Sequence, residues 1–196
     1  MNNPKFIYSS SPDRGLDTLL NLWLQIRKEF PDAELHVYYG FGNWDKAISQ
    51  RNNENEKRLR DQILENMKQP GIFYHGRVNQ DELAKDFLNS DIWAYPTRFW
   101  ETYGITALES MISRTAIVCS DLAGLKTTIP DGCGIKVEGD AYTKEYQEKF
   151  LKEVFDILKN DKRRSEMLEK AYQHAIEQTW ENRAKSWQEI FNLEIK

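Results

Sequence analysis

The sequence predicts an α/β fold, with a doubly wound parallel sheet of about six strands, helices on both faces and a helical C-terminal extension. Short apolar runs of strand length alternate with helical periodicity up to about residue 140, as in repeated β-α-β units. Beyond that point the periodicity is purely helical. We therefore treat residues 1–196 as one domain, with a sheet region over about 1–140 and C-terminal helices over about 141–196.

The first two predicted strands are each followed by a helical segment. A strand at residues 6–8 ends at a run of serines, and apolar side chains then recur at helical spacing as far as Ile26. A second strand at residues 34–39 ends in a Gly-Phe-Gly sequence, since glycine interrupts regular structure. The polar stretch over residues 44–67 is predicted to be helical at least from Asn55.

The third and fourth strands, at residues 72–75 and 92–95, also lead into helices. The helix after the third strand is short, and Asp81 is predicted to be its N-cap because a carboxylate accepts from first-turn N–H groups. Pro96 ends the fourth strand, because proline has no N–H to donate to a sheet. The helix that follows is predicted to bury the apolar residues Ile105, Leu108 and Ile112.

A fifth strand at residues 116–119 and a sixth at residues 135–137 complete a Rossmann-like architecture. The rest of the chain contains no strand pattern and no low-complexity linker. It is predicted to form two or three helices, at residues 146–158, 162–178 and 180–193.

The composition argues against nucleic-acid binding and membrane insertion. The chain has 27 Lys and Arg against 31 Asp and Glu, a net charge of −4, with the two signs mixed along it. A nucleic-acid-binding domain would show a basic excess. No apolar run approaches the roughly 18 residues of a membrane span, and no signal-peptide pattern opens the chain. We therefore expect a cytoplasmic protein with no nucleic-acid partner and no transmembrane segment.

The residues that commonly bind metals do not form a recognisable motif. The three histidines are far apart in the sequence, and no Asp-x-Asp pair is present to hold a divalent ion against a diphosphate. Cys119 and Cys133 are too few for a disulfide framework, and Cys119 lies in an apolar run typical of a buried residue. No metal and no bound cofactor are therefore expected.

Two loops that follow strands carry polar groups suited to a ligand, because open parallel sheets bind ligands at the carboxyl ends of their strands. After the first strand, the hydroxyls of Ser9 and Ser10, the Arg14 cation and free helix N–H groups together form an anion site. An ordinary serine-capped helix with a solvated arginine is the alternative. After the third strand, the backbone around Arg77 and Val78 could hydrogen-bond a planar base.

The loop after the fourth strand is the most informative. Glu101 lies in this loop, and Glu109 lies in the following helix on the same side as Thr106. Carboxylates accept charge-assisted hydrogen bonds from the vicinal hydroxyls of a sugar or a ribose. Backbone N–H groups at a helix N-terminus suit a phosphate. A ligand of the form sugar–diphosphate–ribose–base fits this set, with the phosphate-binding N–H groups supplied by Tyr103, Gly104 and Ile105.

The spacing of Glu101 and Glu109, with seven residues between them, resembles the Glu-x7-Glu motif of retaining glycosyltransferases with the GT-B fold. The segments SDIWAYP at residues 90–96 and SDLAGL at residues 120–125 are similar to glycosyltransferase family 4. The likeness extends from about residue 8 to residue 137 and includes every ligand loop in the expected order. The chain therefore resembles the C-terminal, nucleotide-sugar-binding domain of this family.

The resemblance implies a role for each matched residue. Glu109 would bind the ribose hydroxyls, and Glu101 would bind hydroxyls of the donor sugar. Arg14 would neutralise the diphosphate, while Arg77 and Val78 would hold the base. The sugar and the diphosphate would also contact Thr102, Tyr103, Gly104, Ile105 and Thr106.

The chain departs from the family at three points. Ser9 stands where the family often has a second cation, which leaves the hydroxyls of Ser9 and Ser10 to contribute to the phosphate site. Arg114 and Ala116 replace the usual Gly and Pro before the fifth strand, and we expect them to alter packing rather than chemistry. The family also has two Rossmann-like domains with the active site between them, and only the second is recognised here.

The implied reaction transfers a glycosyl group from a nucleotide diphosphate sugar to an acceptor hydroxyl, with retention at the anomeric carbon and without a metal. Arg14 and the helix N-terminus would stabilise charge on the diphosphate, and Glu101 and Glu109 would orient the donor. An N-terminal acceptor domain, in cis or in trans, would complete the enzyme, so this chain alone is expected to be inactive. The alternatives are a donor-binding module of a split enzyme and a non-catalytic partner-binding protein.

The last predicted helix carries three large aromatic residues, Trp180, Trp187 and Phe191. The favoured prediction is that they pack on this domain's own sheet. The alternative is that they contact the first domain, towards which the family's last helix crosses back. In that case the isolated chain would expose an apolar patch and tend to self-associate.

Overall fold

The structure, a computed structural model, describes residues 3–194, and within them a six-stranded parallel sheet forms the centre of the molecule. The strands are short, with three to five residues each, at the lower end of the usual range. In chain order, β1 to β6 are Lys5–Tyr8, Glu34–Tyr38, Ile72–Gly76, Ile92–Tyr95, Ala116–Ser120 and Ile135–Val137.

The order of strands in the sheet is β3-β2-β1-β4-β5-β6. The chain winds outward from β1 to β3, crosses back to place β4 beside β1, and winds outward again on the other side. Phe6 pairs with Ile92 and Ile7 with Trp93 across this central junction. Because the winding direction reverses between β1 and β4, their carboxyl ends open onto a crevice. The predicted fold class is confirmed, while the extent of the domain stays a prediction.

Helices alternate with the strands and then continue alone to the end of the described chain. None of the helices in residues 3–194 is both long enough and apolar enough to cross a membrane. In chain order, α1 to α9 are Leu16–Glu29, Gly42–Arg51, Glu54–Asn66, Gln80–Leu88, Ile105–Ile112, Leu125–Thr128, Lys144–Lys159, Asp161–Ile176 and Trp180–Glu194.

The core lies around the central strands. All residues of β4 and β5 are buried, and so is β1 from Phe6 to Tyr8. Continuous apolar strands of this kind are typical of parallel sheets that helices cover on both faces. The edge strand β3 differs, because Phe73 and Tyr74 are each 46% exposed.

Two details of the predicted helices are wrong. Asn79, and not Asp81, caps α4, since its side chain accepts a hydrogen bond from the N–H of Glu82 at 2.9 Å. Asp81 instead lies inside the first turn, where a carboxylate favours the positive end of the helix. The short helix α6 was not predicted, because four residues carry no periodicity.

The buried face of α5 also differs from the prediction. Its fully buried residues are Ala107, Ser110 and Met111, whereas Ile105 is 66% and Ile112 is 44% exposed. Two sets of residues in this helix have helical spacing, and the small ones allow the helix to approach closely. Ile105 and Ile112 therefore face outward, while Leu108 is partly buried and Met111 is fully buried.

Arg114 has a positive φ of 58°, in the left-handed region where glycine is favoured. This explains why glycine suits the position before β5. The arginine side chain makes an ion pair of 2.7 Å with Glu169 and lies 4.2 Å from the ring centroid of Tyr172, so it ties the turn to α8. The predicted effect on local packing, rather than on ligand chemistry, agrees with this position.

Candidate functional site

A cavity of about 290 Å³ lies where the loops after β1 and β4 meet, at the reversal of the strand order. Sites in open parallel sheets lie at such reversals because the flanking loops separate there. Most of the predicted site residues line this cavity: Ser9, Ser10, Arg14, Glu101, Thr102, Tyr103, Gly104, Ile105 and Thr106.

Arg14 and Glu101 form an ion pair across the cavity. The Nη1 of Arg14 lies 3.3 Å from Oε1 and 3.5 Å from Oε2 of Glu101. The Glu101 side chain is 13% exposed and that of Arg14 is 34% exposed, so the pair is partly shielded from water. The guanidinium also lies 3.9 Å from the ring centroid of Phe99, a cation–π contact. The group predicted to bind the diphosphate and the group predicted to bind the donor sugar are thus in contact with each other.

Tyr95, at the end of β4, also holds the Glu101 carboxylate. Its hydroxyl donates a hydrogen bond of 2.8 Å to Oε1. Burial, together with the charge of Glu101, raises the pKa of Tyr95 well above its usual value. The hydroxyl therefore stays protonated and acts as a donor.

The N-terminus of α5 faces the same cavity. Gly104 precedes this helix with a φ of 79°, and the helix has no side-chain cap. Within the described residues, the backbone N–H groups of Tyr103 and Gly104 have no hydrogen-bond partner. Together with the helix dipole, such free N–H groups make a site for an anion.

The loops that form the cavity approach each other closely. Gly15, which precedes α1, has a φ of 112°, and a Cβ there would lie 2.6 Å from the carbonyl oxygen of Pro96. The N–H of Gly124 donates to the carbonyl oxygen of Glu101 at 2.8 Å. The backbone of the Glu101 loop is thus fixed from two sides, which limits how far its carboxylate can move.

Glu109 does not line this cavity. It lies in a separate, mostly apolar groove between α4 and α5, with Leu83, Phe87 and Ile112 among its neighbours and Gln80 at one end. Burial raises the pKa of Glu109 above its usual value. Thr106 and Glu109, predicted to face the same way, therefore point into different hollows on either side of α5.

The loop after β3 places Arg77 and Val78 outside both hollows. Arg77 is exposed, and its guanidinium lies 5.9 Å from the ring centroid of Tyr39. Val78 is half-buried against the core. Tyr39 itself lines the cavity and has a φ of 77°. The Arg77 side chain therefore lies beside a residue of the cavity wall but does not line the cavity.

Three aromatic residues that line the cavity were not predicted from the sequence. Tyr39 directly follows β2, and Trp93 and Tyr95 lie in β4 with their rings 4.8 Å apart. Within the described chain, the buried indole N–H of Trp93 has no hydrogen-bond partner. From the sequence, aromatic residues in a buried strand are interpreted as core residues. The strand order, which the sequence does not show, places Trp93 and Tyr95 at the cavity wall.

Two histidines that are distant in the sequence are neighbours in space. The Nδ1 of His36 lies 3.0 Å from Nε2 of His75, and Glu34 lies 3.1 Å from Nε2 of His36. The separation in the sequence does not carry over to the fold, because parallel pairing of β2 and β3 aligns them. Even so, no group of three or more His, Cys, Asp or Glu side chains in residues 3–194 is placed to hold a metal ion.

Comparison with known proteins connects the chain to one family and its relatives. The family of glycosyl transferases group 1 matches residues 3–174. The D-inositol 3-phosphate glycosyltransferase of Corynebacterium kroppenstedtii is 28% identical over 184 residues, which is 93% of this chain and 38% of that protein. The phosphatidyl-myo-inositol mannosyltransferase of Mycobacterium tuberculosis is 26% identical over 121 residues, 62% of this chain and 28% of that protein.

Solved structures show the same fold. A glycosyltransferase from Rickettsia africae superposes with a TM-score of 0.75 at 18% identity, over 100% of this chain and 49% of that one. HepE from Anabaena, in complex with UDP and glucose, superposes with a TM-score of 0.69 at 16% identity, also over 100% and 49%. The chain thus spans less than half the length of these relatives and structures.

Proposed function

Because the chain belongs to the group 1 glycosyltransferases, we propose that it is the donor-binding half of a retaining enzyme that transfers a glycosyl group from a nucleotide diphosphate sugar to an acceptor hydroxyl. One observation carries this proposal. Arg14, Glu101 and the uncapped N-terminus of α5 meet in one cavity at the reversal of the strand order. A cation, a carboxylate and free N–H groups are the groups that a sugar diphosphate needs.

The diphosphate binds between Arg14 and the N-terminus of α5. When the bond from the anomeric carbon to the diphosphate breaks, negative charge builds up on the leaving oxygen. A fixed cation and fixed N–H dipoles stabilise this charge without reorganising. The hydroxyls of Ser9 and Ser10, which line the same cavity, add hydrogen bonds. This positive charge comes from the chain itself, so we expect binding to need no divalent metal.

The donor sugar binds against Glu101, whose carboxylate accepts from its hydroxyls. The role is orientation, since nothing in the position of Glu101 requires attack on the anomeric carbon. The nucleoside extends towards the groove between α4 and α5, where Glu109 accepts from the ribose hydroxyls and the loop at Arg77 and Val78 lies beside the base. UDP is the first nucleotide to test, because HepE was solved with UDP and glucose.

The acceptor site belongs to a second domain, supplied in cis or in trans. The chain covers 38% of its Corynebacterium relative, and its last helix is exposed, with Trp180 at 89%, Trp187 at 56% and Phe191 at 52%. The favoured prediction that these aromatics pack on the sheet is wrong, because α9 has no buried residue among those described. Their exposure favours the alternative, a surface that the acceptor domain covers.

Calorimetry with UDP, GDP and ADP, and with the glucose conjugate of each, tests the proposal. At least one nucleotide is expected to bind with micromolar to millimolar affinity, with and without EDTA. An absence of heat for all of them at millimolar concentration would contradict donor binding. Loss of binding in EDTA would contradict only the metal-independent part.

Two substitutions separate the roles of the carboxylates. Glu109→Ala is expected to weaken binding of the bare nucleotide. Glu101→Ala is expected mainly to remove the discrimination between nucleotide sugar and bare nucleotide. A lost hydrogen bond to a charged group costs about 1.5–3 kcal/mol. Glu148→Ala, on the exposed face of α7, is the matched control. Equal effects of the two changes on the bare nucleotide would contradict these roles.

Glycosyl transfer distinguishes a donor-binding half, whether of one chain or of a split enzyme, from a non-catalytic partner-binding protein. The purified chain alone is expected to transfer no sugar, because a site that closes between two domains excludes water and positions the acceptor. Addition of the matching N-terminal domain is expected to restore transfer, whether the domains come from one chain or from two. Transfer by the isolated chain would contradict the two-domain proposal. A non-catalytic partner-binding protein would stay inactive in both cases.

A further inference from the structure

The Glu101 carboxylate has two oxygens in unequal surroundings. Oε1 accepts from the Tyr95 hydroxyl at 2.8 Å and lies 3.3 Å from Nη1 of Arg14. Among the described residues, Oε2 has only the longer contact of 3.5 Å with Arg14. One oxygen is therefore held by the protein, and the other is left with free acceptor positions.

Tyr95 is the more rigid of the two groups that hold Oε1. Its side chain is 1% exposed, and its ring lies 4.8 Å from that of Trp93 and 5.9 Å from that of Tyr8. The Arg14 side chain is 34% exposed, and in the proposed function it also has to meet the diphosphate. Tyr95 is not required to bind the diphosphate, so its hydrogen bond to Glu101 can persist when the donor binds.

The backbone of Glu101 is fixed independently of its side chain. Its carbonyl oxygen accepts from Gly124, and its N–H donates to Phe99 at 3.0 Å. With the backbone fixed, the direction of the carboxylate depends on what its oxygens bind. The hydroxyl of Tyr95 is the only neutral side-chain donor to Glu101 in the described part of the chain.

We infer that Tyr95 is a positioning residue for donor-sugar recognition: its hydroxyl anchors Oε1 of Glu101 and so directs Oε2 towards a hydroxyl of the sugar. The inference rests on the proposed function. It assigns sugar discrimination to a residue that does not itself need to touch the sugar. Removal of this one hydroxyl leaves the carboxylate in place but free to rotate towards Arg14.

Tyr95→Phe tests this role, since it keeps the ring and removes the donor. Calorimetry on the nucleotide and glucose conjugate that bind the wild-type chain best gives the ratio of their two Kd values. We expect this ratio to shift by about tenfold towards the bare nucleotide, as for one lost oriented hydrogen bond. Tyr95→Phe combined with Glu101→Gln is expected to shift it no further than Glu101→Gln alone.

Tyr146→Phe is the matched control. Tyr146 is also 1% exposed, and its hydroxyl lies 2.7 Å from Ser120, away from the cavity. Both tyrosine variants are expected to unfold at lower temperature than the wild type, but only Tyr95→Phe changes the ratio. A wild-type ratio in a folded Tyr95→Phe chain would overturn the positioning role alone. A wild-type chain that binds no nucleotide would overturn the proposed function and this role with it.

Discussion

At the scale of single residues, Glu109 combines a proposed binding role with an unfavourable position. Its carboxylate lies in a mostly apolar groove, and burial raises its pKa. The charged form is therefore less stable in the folded protein than in the unfolded chain. A residue kept in such a place is expected to contribute to ligand binding rather than to folding.

Glu109→Gln is expected to raise the thermal unfolding temperature at pH 7 while it weakens nucleotide binding by about tenfold, as for one lost charged hydrogen bond. Neutral glutamine removes the buried charge but keeps the shape. Thermal unfolding of the wild type and the variant checks the change in stability, and calorimetry on the same two proteins checks the change in nucleotide affinity. A variant that loses both stability and affinity would show a structural role instead.

The stability gained by Glu109→Gln depends on pH with a definite sign. The folded-state pKa of Glu109 lies above its usual value of 4.5, so the wild type loses stability from this group as the pH rises through the raised pKa. The advantage of Glu109→Gln should therefore be full near neutral pH. It should shrink as the pH falls through the folded pKa and vanish below 4.5, where both states are protonated. Unfolding curves across this range check the sign.

At the scale of elements, the contact between the loop before α1 and the loop after β4 depends on Gly15. Gly15→Ala is expected to destabilise the fold by about 1–3 kcal/mol, because a Cβ adds strain at positive φ and would lie 2.6 Å from the Pro96 carbonyl oxygen. Nucleotide affinity should fall as well, since Arg14 is the neighbouring residue.

Gly42→Ala, at the start of α2, is the control for this change. A Cβ at Gly42 would meet nothing within 4 Å. Its effect should stay within about 1 kcal/mol and could be stabilising, because alanine restricts the unfolded chain. Denaturant unfolding of the two variants measures the difference. Equal stabilities would show that the two loops can separate without cost.

The sequence predicted the strands well, because apolar runs bounded by turn residues leave few alternatives. The sixth predicted strand, residues 135–137, matches β6 in full. Details that depend on neighbouring elements were harder to predict. Asn79 and Asp81 are both good caps by residue type, and only the path of the chain decides between them. The buried face of α5 was wrong for a similar reason, since β5 and α8 pack against the face that carries Ala107, Ser110 and Met111.

The candidate site was predicted as a set of loops but not as a geometry. Each predicted residue of the first and fourth loops lines the cavity, because every one follows a strand end. The pairing of Arg14 with Glu101, the bond from Tyr95 and the separate groove of Glu109 depend on side-chain directions. Sequence spacing carries no information about contacts between residues so far apart in the chain.

At the scale of the whole molecule, α9 leaves an apolar surface without a partner in the described chain. The isolated chain is expected to self-associate as its concentration rises, because exposed aromatic residues gain from burial. Combined Trp187→Arg and Phe191→Arg should abolish this association without lowering the unfolding temperature, since both side chains are more than half exposed. Sedimentation velocity over a range of concentrations measures it.

Leu24→Arg provides the control for charge and solubility. Leu24 lies on α1 and is 64% exposed, so it offers the same kind of change on another face. It should leave self-association unchanged. If it suppressed association as strongly as the changes in α9, net charge and not the aromatic surface would be the cause.

The position of β4 beside β1 has a consequence for how the protein is made. Arg14 and Glu101 are 87 residues apart in the chain, although their side chains touch. At typical synthesis rates the ribosome adds the second about 4 to 17 s after the first. During that delay β1 has β2 beside it but an open edge on its other side, where β4 will later bind. If the proposed function holds, a nucleotide sugar cannot assist this half-built chain, because the cavity forms only after the fourth strand and its loop have been added.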